Sequence, residues 1–136
     1  MRDQWMRDSA LAMGWPSARG QYVHLYLDGL YWGVYEIGER IDDSFLADHL
    51  GGARTDYDLM GDFTSLQSGT SAAWDSLFSL VNSADLTRQA DYQAVASQVD
   101  LVNFVDYYLL HVHGDSEDWP HHNGYAYRNR NLAVGA

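Results

Sequence analysis

The chain has 136 residues, and hydrophobic and aromatic fractions of 46% and 14% predict one folded domain with a modest core. Its formal net charge of −11 disfavours nucleic acid and anionic membranes as partners, because both bind basic surfaces. All eight basic residues are Arg and there is no Cys, which excludes catalysis by a side-chain amine, disulfides and Cys-ligated zinc.

The first part of the chain predicts a helix and a hairpin. Residues 1–13 carry apolar side chains at helical spacing, and Gly14 follows them. Two alternating, aromatic-rich runs near 21–27 and 30–37 flank Asp28-Gly29. An Asp-Gly pair between such runs is the strongest short-range signal of a β-hairpin, because a type I′ turn needs positive φ at both central residues.

The rest of the chain predicts mainly helices. A short helix capped by Asp42 or Asp43 runs to Leu50, and apolar spacing predicts another over 70–82. We expect a helix from Asp91 to about Val99, and a helix capped by Asp100 that is apolar nearly all round and therefore buried. TDYDLM and GYAYR are predicted strands. Few, antiparallel strands among several helices indicate the α+β class.

Residues 111–128, HVHGDSEDWPHHNGYAYR, crowd titratable side chains after the last predicted helix. His111 and His113 lie two apart, and His121 and His122 are adjacent. Neither pair has a helical zinc spacing, because residues i and i+2 do not share a helix face. The acids Asp115, Glu117 and Asp118 are oxygen donors of the kind that a hard cation such as Mg²⁺ prefers.

Asp118 and Asn123 form the pattern D-x-x-x-x-N. Protein kinases use this spacing in the catalytic loop, where the Asp accepts the substrate hydroxyl proton and the Asn binds Mg²⁺. A loop between a helix and a strand is the right kind of context for it. A metal-dependent hydrolase built on His111, His113, Asp115 and Asp118 stays open as an alternative, as does a solvated loop.

The predicted hairpin offers weaker candidates. Asp28-Gly29 is either a glycine-containing turn that covers phosphates or a plain β-turn, and the plain turn is favoured on the sequence alone. Glu36 and Glu39, at the end of the second strand, are candidates for pairing with Arg or orienting a metal, and a solvated acid is the simpler interpretation.

Several segments, in order along nearly the whole chain, resemble the spore-coat CotH kinase family in the form found in large secreted bacterial proteins. One hallmark of that family is a strand, a turn, Tyr-x-Gly and then a Glu. It corresponds here to Asp28, Gly29, Tyr31, Gly33, Tyr35 and Glu39. A second is Asp-Trp-Pro followed by Asn before an aromatic strand, matched by Asp118, Trp119, Pro120 and Asn123.

The resemblance implies a partial protein-kinase-like fold and transfer of phosphate from ATP to Ser or Thr, with Mg²⁺ or Mn²⁺. Asp118 would be the catalytic Asp and Asn123 a metal ligand, while Asp28, Gly29 and Glu39 are candidates for cofactor binding. A protein substrate or surface-protein partner, outside the cell or on a spore, is expected. No apolar run is long enough for a membrane span, and the N-terminus lacks the apolar core of a signal peptide.

Two departures from the family pattern bear on activity. The nucleotide-pairing Lys of the family follows Tyr-Asp-Val-Ile, whereas YDLMG here places Gly61 at that position. Arg54 or Arg128 is a candidate replacement for the Lys. A later metal-binding Asp of the family would lie beyond Ala136, so residues 1–136 are expected to form one partial domain, truncated at its C-terminal side. An inactive pseudokinase or protein-binding module is therefore a further alternative.

Overall fold

The computed structural model describes residues 2–119 and 122–134, and the chain divides between Ile41 and Asp42 into two compact units. The described residues form helices and two small antiparallel sheets, which confirms the predicted α+β class. None of the helices in this part of the chain has the length and apolar content that a membrane crossing requires.

The first unit contains helix α1 (Arg2–Ala12) and a hairpin of β1 (Gly20–Leu27) and β2 (Leu30–Gly38). Asp28 and Gly29 form its two-residue turn with φ values of 51° and 79°, as a type I′ turn requires. The hairpin prediction is therefore confirmed.

The hairpin leaves most of its large apolar side chains exposed on both strands. A register shift opposite Leu25 and Tyr26 leaves Trp32 as an extra residue in β2, and Gly33 adopts a φ of 119° there. Arg7 of α1 forms an ion pair of 2.5 Å with Glu36 of β2.

The second unit begins with helix α2 (Asp43–Leu50), whose N-cap Asp42 accepts the backbone N–H of Phe45 at 2.9 Å. The buried residues of this helix are Phe45 and Leu46. Helices α3 (Ala72–Ser83), α4 (Gln89–Ala96) and α5 (Leu101–His113) follow. Asp100 caps α5 through the N–H of Asn103, as predicted.

Two predictions about these helices are wrong. Asp91 does not start α4, which begins at Gln89; Asp91 lies in the first turn, where its carboxylate accepts the N–H of Asp85 at 3.0 Å. Helix α5 has no fully buried residue, because apolar side chains such as Val102 and Leu109 stay more than half exposed.

The second sheet has the order β4-β3-β5, with β3 (Tyr57–Gly61) between β4 (Ser65–Ser68) and β5 (Tyr125–Asn129). Every residue of β3 is buried, and Tyr57, Leu59 and Met60 form much of the core of this unit. The predicted strands over TDYDLM and GYAYR are confirmed at β3 and β5. β4 was not predicted, because SLQS is short and lacks β-branched residues.

Candidate functional site

The loop that carries Asp118 begins at a well-formed helix end. At the end of α5 the Ser116 N–H reaches the His111 carbonyl and the Asp115 N–H reaches the Val112 carbonyl, which is the Schellman pattern. Asp115 supplies the left-handed residue of this motif, with φ 49°. His111 and His113 therefore end a helix that leads into the loop, as expected from the sequence.

Trp119 holds the residue next to Asp118 against α5. Its indole N–H donates to the Tyr107 hydroxyl at 3.1 Å, and its ring stacks on His111 with centroids 5.3 Å apart. Tyr108 meets the same ring edge-on, 4.9 Å away between centroids. Burial raises the pKa of the Tyr107 hydroxyl. Helix α5 thus anchors one end of the loop.

The other end of the loop is anchored to the turn after β3. The backbone N–H of Asn123 donates to Asp62 Oδ1 at 2.8 Å, and the Asp62 N–H donates to the Gly124 carbonyl at 2.8 Å. Gly124 is buried beneath the Phe63 ring, and a Cβ there would clash with this ring and approach the Tyr107 hydroxyl to 2.9 Å. Only a residue without a side chain fits at this point.

Asp118 and Asn123 lie within this doubly anchored loop, and both are exposed. The main chain of Asp118 accepts the His122 N–H at 3.0 Å, and Asn123 adopts a left-handed φ of 62°. Neither side chain makes a hydrogen bond or ion pair to any residue in 2–119 or 122–134. Pro120 and His121, between them, lie outside the described residues.

The described histidines of this region, His111, His113 and His122, do not assemble a metal site. Across the described ranges, no group of three His, Asp or Glu side chains is placed to hold a metal ion. His111 faces Tyr107 and Trp119, and its Nδ1 is buried without a described hydrogen-bond partner. Burial lowers the pKa of His111 and keeps the ring neutral. His111 therefore belongs to the aromatic contact that anchors the loop.

The candidate replacements for the absent Lys differ in their surroundings. Arg54 pairs with Asp43 at 2.8 Å in the first turn of α2, and its hydrogen bond lowers the pKa of the Asp43 carboxyl. Arg128, on β5, has no ion-pair partner in the portion of the chain that the structure describes. Gly61, at the Lys position, lies within buried β3, and a Cβ there would approach the side chain of Gln67 to 3.0 Å.

Arg130, which the sequence did not single out, takes the structural role in this sheet. It forms an ion pair of 2.6 Å with buried Asp58 and donates to the Thr55 carbonyl. The Asp58 carboxylate also accepts the Thr70 N–H at 2.8 Å. This pair joins β3 to the segments that follow β4 and β5. Its signal in the sequence was an acid inside the otherwise apolar run YDLM.

The candidates on the hairpin do not converge. Asp28 and Gly29 form the tip, whereas Glu39 follows the opposite end of β2, roughly 30 Å away for a strand of this length. The Glu39 carboxylate accepts the Arg19 N–H at 2.7 Å, and Glu36 is paired with Arg7. A contact of one small group with both Asp28 and Glu39 is therefore not possible in this arrangement.

The second unit thus defines an α+β protein whose loop, fixed at both ends, presents a carboxylate and a carboxamide to solvent. Comparison with protein families then identifies the chain. The model of the family described as CotH kinase protein matches residues 1–134, so the chain belongs to the CotH kinase family. No curated protein and no solved structure matches it.

Proposed function

We propose that this chain is a CotH-type kinase-like domain, or part of one, that serves ATP-dependent phosphoryl transfer to Ser or Thr of a protein substrate. The observation that carries the proposal is the loop between α5 and β5, which holds the D-x-x-x-x-N pair between two anchors. Family membership over residues 1–134 supports the same function. A location outside the cell or on a spore surface is part of this proposal.

Asp118 is the proposed general base. Its carboxylate is exposed and has no partner among the described residues, so it is available to accept the proton of a substrate hydroxyl. Trp119 fixes the adjoining backbone on α5, which limits the positions that the carboxylate can reach. Such positioning is a large part of catalysis in phosphoryl transfer.

The donor set suits a magnesium or manganese ion that is shared with a nucleotide. The Asn123 carboxamide is an oxygen donor, and Mg²⁺ commonly takes only one or two ligands from protein and the rest from phosphates and water. When bound, the ion would supply charge neutralisation on the phosphates. Asn123 is the proposed ligand that holds it.

A second candidate is a binding module that retains the fold without turnover. Gly61 at the Lys position favours it, because the chain has no Lys to stabilise the phosphate charge and Arg54 is already paired with Asp43. Under this candidate the loop is kept for recognition of a protein partner.

Nucleotide binding and transfer distinguish the two. The 136-residue chain is incubated with ATP and Mn²⁺, its melting temperature is measured, and transfer of labelled γ-phosphate to itself and to a Ser/Thr-rich acceptor protein is followed. Phosphotransfer predicts a higher melting temperature with nucleotide, and transfer that falls about 100-fold or more in Asp118→Asn.

Asp48→Asn is the matched control, because Asp48 is also exposed in the second unit and the change removes the same charge. This variant is expected to keep wild-type transfer. Nucleotide binding without transfer would favour the binding module. A wild-type chain with neither binding nor transfer would contradict the proposed phosphotransfer, as would full transfer by Asp118→Asn.

A further inference from the structure

We propose that Asp62 is a positioning residue that holds the loop of Asp118 and Asn123 in its working conformation. This inference rests on the proposed function of that loop. Asp62 follows β3 directly and its hydrogen bonds to the loop are made to main-chain atoms, so its role would be exerted through the backbone of Asn123 and Gly124.

Two hydrogen bonds of 2.8 Å form the contact. The Asp62 carboxylate accepts the Asn123 N–H, and the Asp62 N–H donates to the Gly124 carbonyl. Asp62 and Asn123 are 61 residues apart in sequence, so the contact joins two remote segments. A paired donor and acceptor fixes both the distance and the rotation of the loop relative to β3.

The backbone on both sides of the contact adopts uncommon conformations. Asp62, Phe63 and Asn123 all have left-handed φ values, of 48°, 57° and 62°. Residues other than Gly adopt this region at a cost, and they persist in it only where surrounding contacts hold them. The turn after β3 and the candidate loop are therefore held in uncommon conformations that meet each other.

The contact between Asp62 and the loop is exposed, so its effect on the position of the loop can be measured apart from its effect on fold stability. Asp62 and Asn123 both lie at the surface, whereas Gly124 is buried and the Trp119 contact with Tyr107 is half-buried. Loss of an exposed hydrogen bond changes fold stability little, because water replaces the lost partner. Loss of the Asp62 hydrogen bond would, however, release the backbone amide of Asn123, which is one residue of the proposed pair Asp118 and Asn123.

The test compares Asp62→Ala and Asp62→Asn with wild type in the 136-residue chain. We expect Asp62→Ala to lower kcat for phosphate transfer about tenfold with KM for ATP little changed, because the groups that bind are present but badly placed. Asp62→Asn keeps an oxygen acceptor and is expected to restore kcat to within about threefold of wild type.

Asp56→Ala is the matched control. The Asp56 carboxylate also accepts a backbone N–H at 2.8 Å, that of Ala53, but it lies at the opposite end of β3 from Asp62. This variant is expected to leave kcat unchanged. Equal loss of kcat in Asp56→Ala and Asp62→Ala would overturn the inference, as would wild-type kcat in Asp62→Ala.

The Asn123 backbone amide provides a readout that does not depend on transfer. In two-dimensional NMR spectra, its proton resonance should move upfield in Asp62→Ala and stay close to the wild-type position in Asp62→Asn. If these resonance shifts are observed but the wild-type chain transfers no phosphate, the contact is supported and the proposed function is overturned. An Asn123 resonance that is the same in all three proteins would overturn the contact itself.

Discussion

The two sheets of this protein are stabilised in different ways. In the hairpin, Leu27 pairs with Leu30 across a two-residue turn, and most of the large side chains remain exposed. In the second sheet, β3 is completely buried and pairs with β5. Arg130, which follows β5, pairs with Asp58 of β3, and these two residues are 72 apart in sequence. One sheet depends on its turn, and the other depends on contacts between remote segments.

This difference determines what a local change can do. A substitution of Gly29 at the hairpin tip acts through the backbone of the turn, because no atom lies within 4 Å of an added Cβ there. A substitution beside β3 acts through a buried ion pair, a buried glycine or an aromatic contact, each of which joins several segments. The candidate loop belongs to the second kind of region, so its geometry depends on packing that lies well outside the loop.

The largest effect is expected from Arg130→Met. The change leaves the Asp58 carboxylate, only 10% exposed, without its cation. We expect the free energy of unfolding to fall by about 2–3 kcal/mol, at the lower end for a buried pair because Arg130 itself is 37% exposed. Denaturant unfolding measures it. Arg54→Met, which breaks the exposed pair with Asp43, is the matched control and should cost much less; equal losses would contradict the comparison.

A smaller effect is expected from adding one methyl group to a glycine in each region. Gly124→Ala places a Cβ against the Phe63 ring, and such overpacking costs about 1–3 kcal/mol. Gly29→Ala has no atom within 4 Å of the new Cβ, and its cost of about 1 kcal/mol comes from the φ of 79° alone.

The glycine pair is measured by thermal unfolding together with amide hydrogen exchange. Gly29→Ala should speed exchange in β1 and β2, and Gly124→Ala should speed it in β3 and β5. Protection lost in the same strands by both variants would show that the two sheets are not stabilised independently.

The smallest effect is an acid sensitivity that arises from His111. Burial lowers its pKa in the folded state below that of the unfolded chain, near 6.5, so the unfolded state binds more protons at low pH. The stability that neutral His111 provides is therefore complete above about pH 6.5 and declines as pH falls below that value. His111→Phe, which keeps an aromatic ring against Trp119, should remove this part of the decline.

Melting temperatures between pH 7.5 and 5 test the histidine prediction. His24→Phe in the hairpin is the matched control, and the part of the decline that His111 causes should persist in it, because His111 is still present. The same acid profile in wild type and His111→Phe would contradict this assignment.

The sequence alone determined the elements that depend on neighbouring residues. The Asp28-Gly29 turn, the Asp42 and Asp100 caps and the periodic helices were all predicted, because turn and cap preferences act within a few residues. The spacing of Asp118 and Asn123 also predicted a candidate pair from local sequence, since a motif of six residues lies within one loop, and this pair stays a prediction.

Only the tertiary structure determined what holds that loop in place. Nothing in the local sequence connects Asp62 with Asn123, Gly124 with Phe63 or Trp119 with Tyr107, because each pair meets only when β3, α5 and β5 have assembled. The exposed outer face of α5 was likewise beyond prediction, since an apolar pattern indicates which side chains favour burial and not which elements are present to cover them. Short-range conformational preferences are written in the sequence directly, whereas contacts between remote segments arise from the packing of the whole unit.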